Sequence, residues 1–338
     1  MLDAIHLMVV DVVSGKYLDR VKKYSAKMPF KLILAKGEDE DSLITAASAA
    51  DVILCYKAEL SGPVIKSAPS LKFIQKHGLN LKNIEISAAR ELGIPIATMP
   101  LMRNASVAEQ ALTLMLCCAH KSILGHRTVA DATYRNHGIK PIQTSQWDIK
   151  PNWTGIEGIT ELFGASVGIV GLGDIGMDVA TRCHAFKMDV YYHQRNPHPK
   201  EVEKTFCATY LPLDELLAKS DFVVLIIPHT PKTDGFIGEV ELEKMKSTAT
   251  LINVGRGGLI DEDALLKALC GKKISMAGLD VYRREPLPES SPLRNLSNIV
   301  FSPHTGGGSY RAWDVDVPAV LENILKFFRG ENTQGIIP

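Results

Sequence analysis

Residues 167–176 read V-G-I-V-G-L-G-D-I-G. A short apolar run, Val167 to Val170, ends in Gly171-x-Gly173-x-x-Gly176 and opens into a helical pattern from Met177 to Phe186. Each glycine has its own reason to be there. Gly171 makes a tight turn. Gly173 lacks a Cβ, so the backbone can approach a pyrophosphate. Gly176 lets the helix pack close on its strand, and the free N–H groups at the helix start face the phosphates. The strand before and the helix after set this apart from a glycine-rich turn in some other α/β protein. They predict a dinucleotide-binding fold.

The same alternation continues outward from this turn. Short apolar runs at 167–170, 189–192, 222–227, 249–253, 276–279 and 299–301 read as strands, with helices such as Leu213–Ala218 and Glu262–Leu269 between them. Six apolar strands alternating with helices predict a doubly wound parallel sheet with its ligand at the carboxyl ends of the strands. Upstream, His6–Val10, Leu32–Leu34, Val52–Leu54 and Phe73–Gln75 read as strands, and Asp41–Ala50 and Ile84–Leu92 as helices. Gly93-Ile94-Pro95 closes the second of these helices. A long apolar helix, Asn104–His120, leaves this smaller α/β unit. Residues 134–160 lack periodicity and read as a long connection. The helix Asp316–Phe328 and the tail Gly335-Ile336-Ile337 are expected to return to the first unit. The predicted domains are therefore 1–103 plus 305–338, discontinuous, and 104–304, the dinucleotide domain inserted into it.

The bulk numbers narrow the partners. The chain has 338 residues, with 38 Lys plus Arg against 38 Asp plus Glu. A balanced charge argues against nucleic acid, whose binding leaves a basic excess. No apolar stretch approaches the roughly 20 residues of a membrane span, and the N-terminus has neither the basic start nor the small-residue cleavage site of a signal peptide. The cysteines, Cys55, Cys117, Cys118, Cys183, Cys207 and Cys270, show no C-x-x-C pairing, as expected of a reduced cytoplasmic chain. No His/Cys/carboxylate cluster has metal-ligand spacing, so no metal is expected.

Three features follow strand ends beyond the glycine turn. They are Asn253-Val254-Gly255-Arg256-Gly257; Gly278-Leu279-Asp280-Val281 with Glu285-Pro286; and Ser302-Pro303-His304-Thr305-Gly306. In a doubly wound sheet these ends share the edge of the cofactor turn. A cation, a carboxylate and an imidazole can therefore converge there. Reduction of a carbonyl by a bound dinucleotide needs a hydride at carbon and a proton at oxygen. His304 can supply the proton, Glu285 can orient the ring and stabilise its charged form, and Arg256 can grip a substrate carboxylate. Taken singly, Arg256 could be a structural cation, Glu285 a solvated loop carboxylate and His304 a helix cap. His77, beside the next loop of interest, is a further candidate.

With Val107-Ala108-Glu109, Leu211-Pro212-Leu213-Asp214-Glu215-Leu216, Met245-Lys246, Leu251-Ile252-Asn253, Asp261-Glu262 and Pro303-His304 in this order, the chain resembles the D-isomer-specific 2-hydroxyacid dehydrogenase family. The similarity runs over nearly the whole length and lies nearest the glyoxylate and hydroxypyruvate reductase branch. The resemblance implies a Rossmann-type dinucleotide domain in a flavodoxin-like substrate domain, a small 2-oxo acid substrate and a homodimer. It implies the acid–base and carboxylate roles above for His304, Glu285 and Arg256. It further implies cofactor contacts from Val107, Gly171, Gly173, Asp174, Ile175, Gly176, Gln194, Arg195, Asn196, Pro228, Val254, Gly255, Arg256, Asp280, His304 and Gly306. Substrate contacts fall to Gly78, Leu79, Asn80, Asn104, Arg256 and His304. Relatives of the co-repressor type use the same fold to sense nucleotide rather than to catalyse, which is the alternative function.

The chain departs from the pattern twice. An NAD enzyme presents Asp or Glu for the ribose about 20 residues past the glycine turn. Here Tyr191-Tyr192 is followed by His193-Gln194-Arg195-Asn196, and Asp189 begins the strand instead of ending it. A polar, basic end suits a 2′-phosphate, so NADP is favoured and NAD remains open. The second departure is Gly78-Leu79-Asn80-Leu81-Lys82, where family members carry Gly-x-Gly-x-Asp. Asn80 tolerates a left-handed backbone and adds a side chain at the expected carboxylate loop.

Overall fold

The structure, a computed structural model, describes residues 4–13, 15–78, 81–99, 102–147 and 150–337. The chain divides into two compact units, Met1–Arg103 with Ser309–Pro338, and Asn104–Gly308. The second crossing thus falls after Gly308, not after the expected His304. The reason is local: the turn at 304–306 hydrogen-bonds to Asp280, which anchors it in the second unit.

The first unit holds a five-stranded parallel sheet built from β1 (Ile5–Val9), β2 (Phe30–Leu34), β3 (Val52–Cys55), β4 (Phe73–His77) and β5 (Ile96–Met99), in the order β2-β1-β3-β4-β5. That order is the flavodoxin-like one. Its central strands are buried on both faces and read as continuous apolar runs. One face is covered by the helix Tyr310–Phe328, whose Val317, Val320, Leu321 and Ile324 pack with Ile5, Leu7 and Val9. The sheet has one strand more than the sequence reading: β5 lies directly after Pro95, just beyond the turn Gly93-Ile94-Pro95 that closes the preceding helix. The helix Gly15–Ser25, which buries Tyr17, Leu18 and Val21, was also missed.

The second unit holds a seven-stranded sheet. Its strands are β6 (Ser166–Val170), β7 (Asp189–His193), β8 (Ala208–Tyr210), β9 (Phe222–Leu225), β10 (Thr250–Asn253), β11 (Met276–Leu279) and β12 (Ile299–Phe301). All are parallel, in the order β12-β11-β10-β9-β6-β7-β8. The chain reverses direction across the sheet between β6 and β9, so the ligand crevice lies at their carboxyl ends. The six expected strands are all present; β8, three residues at the edge, is the addition. Asp189 does begin its strand.

The helix Arg103–Ala119 buries Ala108, Ala111, Leu112, Leu114, Met115 and Cys118 in the core of its own unit. Its all-round apolar character is therefore satisfied without a partner. Cys55, Cys118 and Cys183 are buried, and all six cysteines are free. Among the described residues no helix is long and apolar enough to cross a membrane.

Candidate active site

The glycine turn shows what each missing side chain permits. Gly171 has φ +103, and a Cβ there would stand 2.8 Å from Ile227 Cγ2. Gly176 would place a Cβ 2.2 Å from the Gly171 carbonyl oxygen. Only a hydrogen fits where the helix Asp174–Ala185 crosses the turn. Gly173 is the reverse case. Nothing lies within 4 Å of its would-be Cβ, and it caps the helix start. An open, Cβ-free surface at the N-terminus of a twelve-residue helix fits a pyrophosphate. Asp174 and Ile175 form the first turn of that helix, and Asp174 is exposed.

Past β7, the side chains divide their labour. Gln194 Oε1 accepts the Leu172 N–H at 3.3 Å, and its Nε2 donates to the Asn196 carbonyl at 2.8 Å. His198 Nε2 lies 2.7 Å from the Leu172 carbonyl. Both backbone groups of Leu172 are thus held by residues that follow β7. Gln194 braces the glycine turn, a role the sequence alone did not suggest, and His198 was not singled out at all. Arg195 and Asn196 are exposed, and Arg195 has no hydrogen bond or ion pair among the described residues.

At the carboxyl ends of β10, β11 and β12, on the same edge as the glycine turn, three loops meet. After β10, Asn253 Oδ1 accepts the Gly255 N–H at 3.0 Å, and Asn253 Nδ2 donates to the Arg256 carbonyl at 3.0 Å. Buried Asn253 therefore shapes the turn that lifts Arg256 into solvent. Val254 and Gly255 are buried beneath it. After β11, the Tyr282 N–H donates to Glu285 Oε1 at 3.2 Å. The other oxygen, Oε2, lies 2.7 Å from His304 Nδ1. Burial pushes the Glu285 carboxyl up. The hydrogen bonds from His304 and Tyr282 and the charges of His304 and Arg256 outweigh it, so the net shift is down. Arg256, Glu285 and His304 are thus electrostatically one group.

His304 has φ 54, a left-handed backbone that histidine tolerates better than most residues. Asp280, 1% exposed, enforces it. Its carbonyl accepts the His304 N–H at 2.8 Å. Its carboxylate accepts from Ser302 Oγ (2.6 Å), the Thr305 N–H (2.9 Å) and the Gly306 N–H (2.9 Å). The resemblance gave Asp280 a cofactor contact; its geometry gives it the turn that aims His304. Gly306 sits against Val107, 3.5 Å from its would-be Cβ to Val107 Cα, so these two expected contacts adjoin. Asn104 is half-buried in the first turn of its helix. Pro228 is exposed after β9, and its carbonyl accepts Thr233 Oγ1 at 2.8 Å.

In the first unit, Gly78 (φ 107) ends β4 with its N–H on the Met99 carbonyl at 2.7 Å. Leu79 and Asn80 lie outside the described residues. His77 is buried among Tyr17, Tyr56 and Trp313, with Nε2 3.6 Å from Asp316 Oδ2.

Comparison with known proteins identifies the family and the fold. The profile of the D-isomer specific 2-hydroxyacid dehydrogenase, NAD binding domain, matches residues 131–306. A glyoxylate reductase of Thermococcus onnurineus (strain NA1) is 34% identical over 303 residues, 89% of this chain and 84% of the relative. A D-3-phosphoglycerate dehydrogenase of Methanocaldococcus jannaschii is 35% identical over 307 residues, 90% of this chain but 55% of that protein. The crystal structure of a glyoxylate reductase from Paecilomyes thermophila superposes with a TM-score of 0.66 at 27% identity, covering 100% of this chain and 99% of that one. The fold and its glycine turn define a dinucleotide-binding protein. The chain belongs to the D-isomer-specific 2-hydroxyacid dehydrogenase family. It transfers a hydride between a nicotinamide cofactor and a 2-hydroxy acid or its 2-oxo partner.

Proposed function

We propose that the protein reduces a small 2-oxo acid of glyoxylate or hydroxypyruvate size, with NADPH as the preferred cofactor. The observation that carries the chemistry is the 2.7 Å contact between His304 Nδ1 and Glu285 Oε2, beside Arg256. The ionised Glu285 carboxylate can only accept, so Nδ1 carries the hydrogen. Nε2 is then the atom left to hold and release a proton toward a substrate oxygen. Arg256 binds the substrate carboxylate and stabilises negative charge developing on the carbonyl oxygen. The reduced nicotinamide, when bound, supplies the hydride. Gly173 and the start of the helix Asp174–Ala185 would hold its pyrophosphate. The first unit, with Gly78 at the end of β4, would be the substrate domain. Steady-state turnover across a panel of 2-oxo acids with both reduced cofactors tests the reading. Glyoxylate and hydroxypyruvate should lead, and turnover of no 2-oxo acid would favour nucleotide sensing.

The cofactor preference rests on Arg195. It is exposed, unpaired among the described residues, and two residues past the end of β7, where no acid stands. Arg195→Ala should weaken NADPH about 10-fold or more, the scale of a lost charge-assisted hydrogen bond. NADH, which lacks the 2′-phosphate, should change little. Equal losses in fluorescence titrations with the two cofactors would refute the assignment.

A homodimer in the cytoplasm completes the proposal. Its support is not the helix Arg103–Ala119 but the apolar surface beyond it. Trp147 is 84% exposed, Phe163 77% and Leu124 53%. A cleft of about 880 Å3 runs between Ile123, Leu124 and the edge strand β12. Such a surface is costly to leave in water. Sedimentation at micromolar concentration should give twice the chain mass; a monomer would exclude this interface.

A further inference from the structure

The loop after β9 carries a polar cluster that the proposed chemistry does not use. His229 Nε2 lies 2.9 Å from Asp234 Oδ1. Arg283 Nη2 reaches the same carboxylate, 3.2 Å from Oδ2 and 3.4 Å from Oδ1. The Arg283 N–H donates to Glu262 Oε1 at 2.8 Å. The His229 hydrogen bond comes first among the effects on the Asp234 carboxyl. With the Arg283 charge it outweighs burial and holds that carboxyl low.

The cluster is wedged against both active-site loops. The His229 ring leaves no room for a side chain at Gly258, where a Cβ would stand 2.5 Å from Nε2. The Gly235 N–H donates to the Gly258 carbonyl at 2.8 Å. Gly257 lies so close to the 282–283 backbone that a Cβ would fall 1.8 Å from the Tyr282 carbonyl carbon. Gly258 is two residues from Arg256, and Arg283 is two residues from Glu285. On the other side, Ile227, two residues before His229, abuts Gly171 of the glycine turn. One carboxylate therefore bridges the loop beside the cofactor crevice and the loop that carries Glu285.

We propose that Asp234, with His229 and Arg283, is a positioning group for the His304–Glu285 pair, fixing the Glu285 loop against the Arg256 loop. This rests on the reading of His304 and Glu285 as the proton-delivering pair. Exposed ion pairs contribute little to stability. A small displacement of a reacting group, by contrast, costs rate steeply. The cluster's effect should thus appear in turnover and not in melting temperature.

The test is a double-mutant cycle in the full-length protein, measuring kcat, cofactor dissociation constant and melting temperature. Asp234→Asn and Arg283→Met should each lower kcat about 3- to 10-fold, with cofactor affinity and melting temperature nearly unchanged. Asp234→Glu should restore most of the loss. In a Glu285→Ala background the same substitutions should change kcat less than about 2-fold, because the group they position is gone. Equal losses in both backgrounds would overturn the proposal, as would wild-type kcat in Asp234→Asn, or a kcat loss that tracks melting temperature. If Glu285→Gln alone turned over like the wild type, the proton-delivery reading would fall and the positioning role with it.

Discussion

His304→Ala is expected to lower kcat at least about 100-fold, the usual scale for removing a general acid. The cofactor dissociation constant should change far less than kcat, since the glycine turn and the helix start lie on other strands. Glu285→Gln should give an intermediate loss. An amide can still accept from Nδ1, but it cannot stabilise the imidazolium electrostatically. The pH profile gives an independent check. The Glu285 carboxyl is held down in the folded protein, so its support of His304 is complete above the ordinary carboxylate range. That support is lost only as the pH falls through the lowered value. The acid limb due to Glu285 should thus sit below that range and vanish in Glu285→Gln. Near-normal turnover of His304→Ala across pH would end the assignment.

The second large effect separates two glycines that look alike in sequence. Gly173→Ala adds a methyl where nothing stands within 4 Å, at an ordinary extended φ of −84. The free protein should melt only slightly lower, by the small cost of a poorer helix cap. The cofactor should bind at least about 10-fold more weakly, because the methyl occupies the face a pyrophosphate must approach. Gly176→Ala adds its methyl 2.2 Å from the Gly171 carbonyl oxygen. The helix must retreat from the turn, which should cost about 1–3 kcal/mol of stability before any cofactor is added. Calorimetry of the free proteins and cofactor titration of both variants distinguish the cases. If Gly173→Ala bound cofactor normally, the pyrophosphate would not lie on that face.

What the sequence made legible followed from local constraints. The strand–glycine–helix signal of 167–176 is local, and it located β6, the turn and the helix behind it. The buried parallel strands β9, β10 and β11 read as apolar runs because helices cover both faces. β5 was lost because Ile96–Met99 follows Pro95 within a few residues of a helix end. β8 was lost because only Ala208 of its three residues is buried. The order of Arg256, Glu285 and His304 along the chain pointed to a shared edge, but not to the contacts that tune it. Asp280 as the anchor of the His304 turn depends on bonds reaching across 22 to 26 residues. Gln194 looked like a cofactor ligand by position. Its engagement with Leu172 is a three-dimensional fact that no spacing rule contains.

The discontinuity of the first unit bears on how the chain is made. Its sheet leaves the ribosome within the first 103 residues, but the helix that covers Ile5, Leu7 and Val9 begins at Tyr310. During synthesis that face of the sheet carries only the helix Gly15–Ser25, without its C-terminal cover, while all of 104–308 is being translated. The second unit is one uninterrupted stretch and can finish its own core in that interval. The core of the second unit can therefore close before that of the first, whose last covering helix is made only after it.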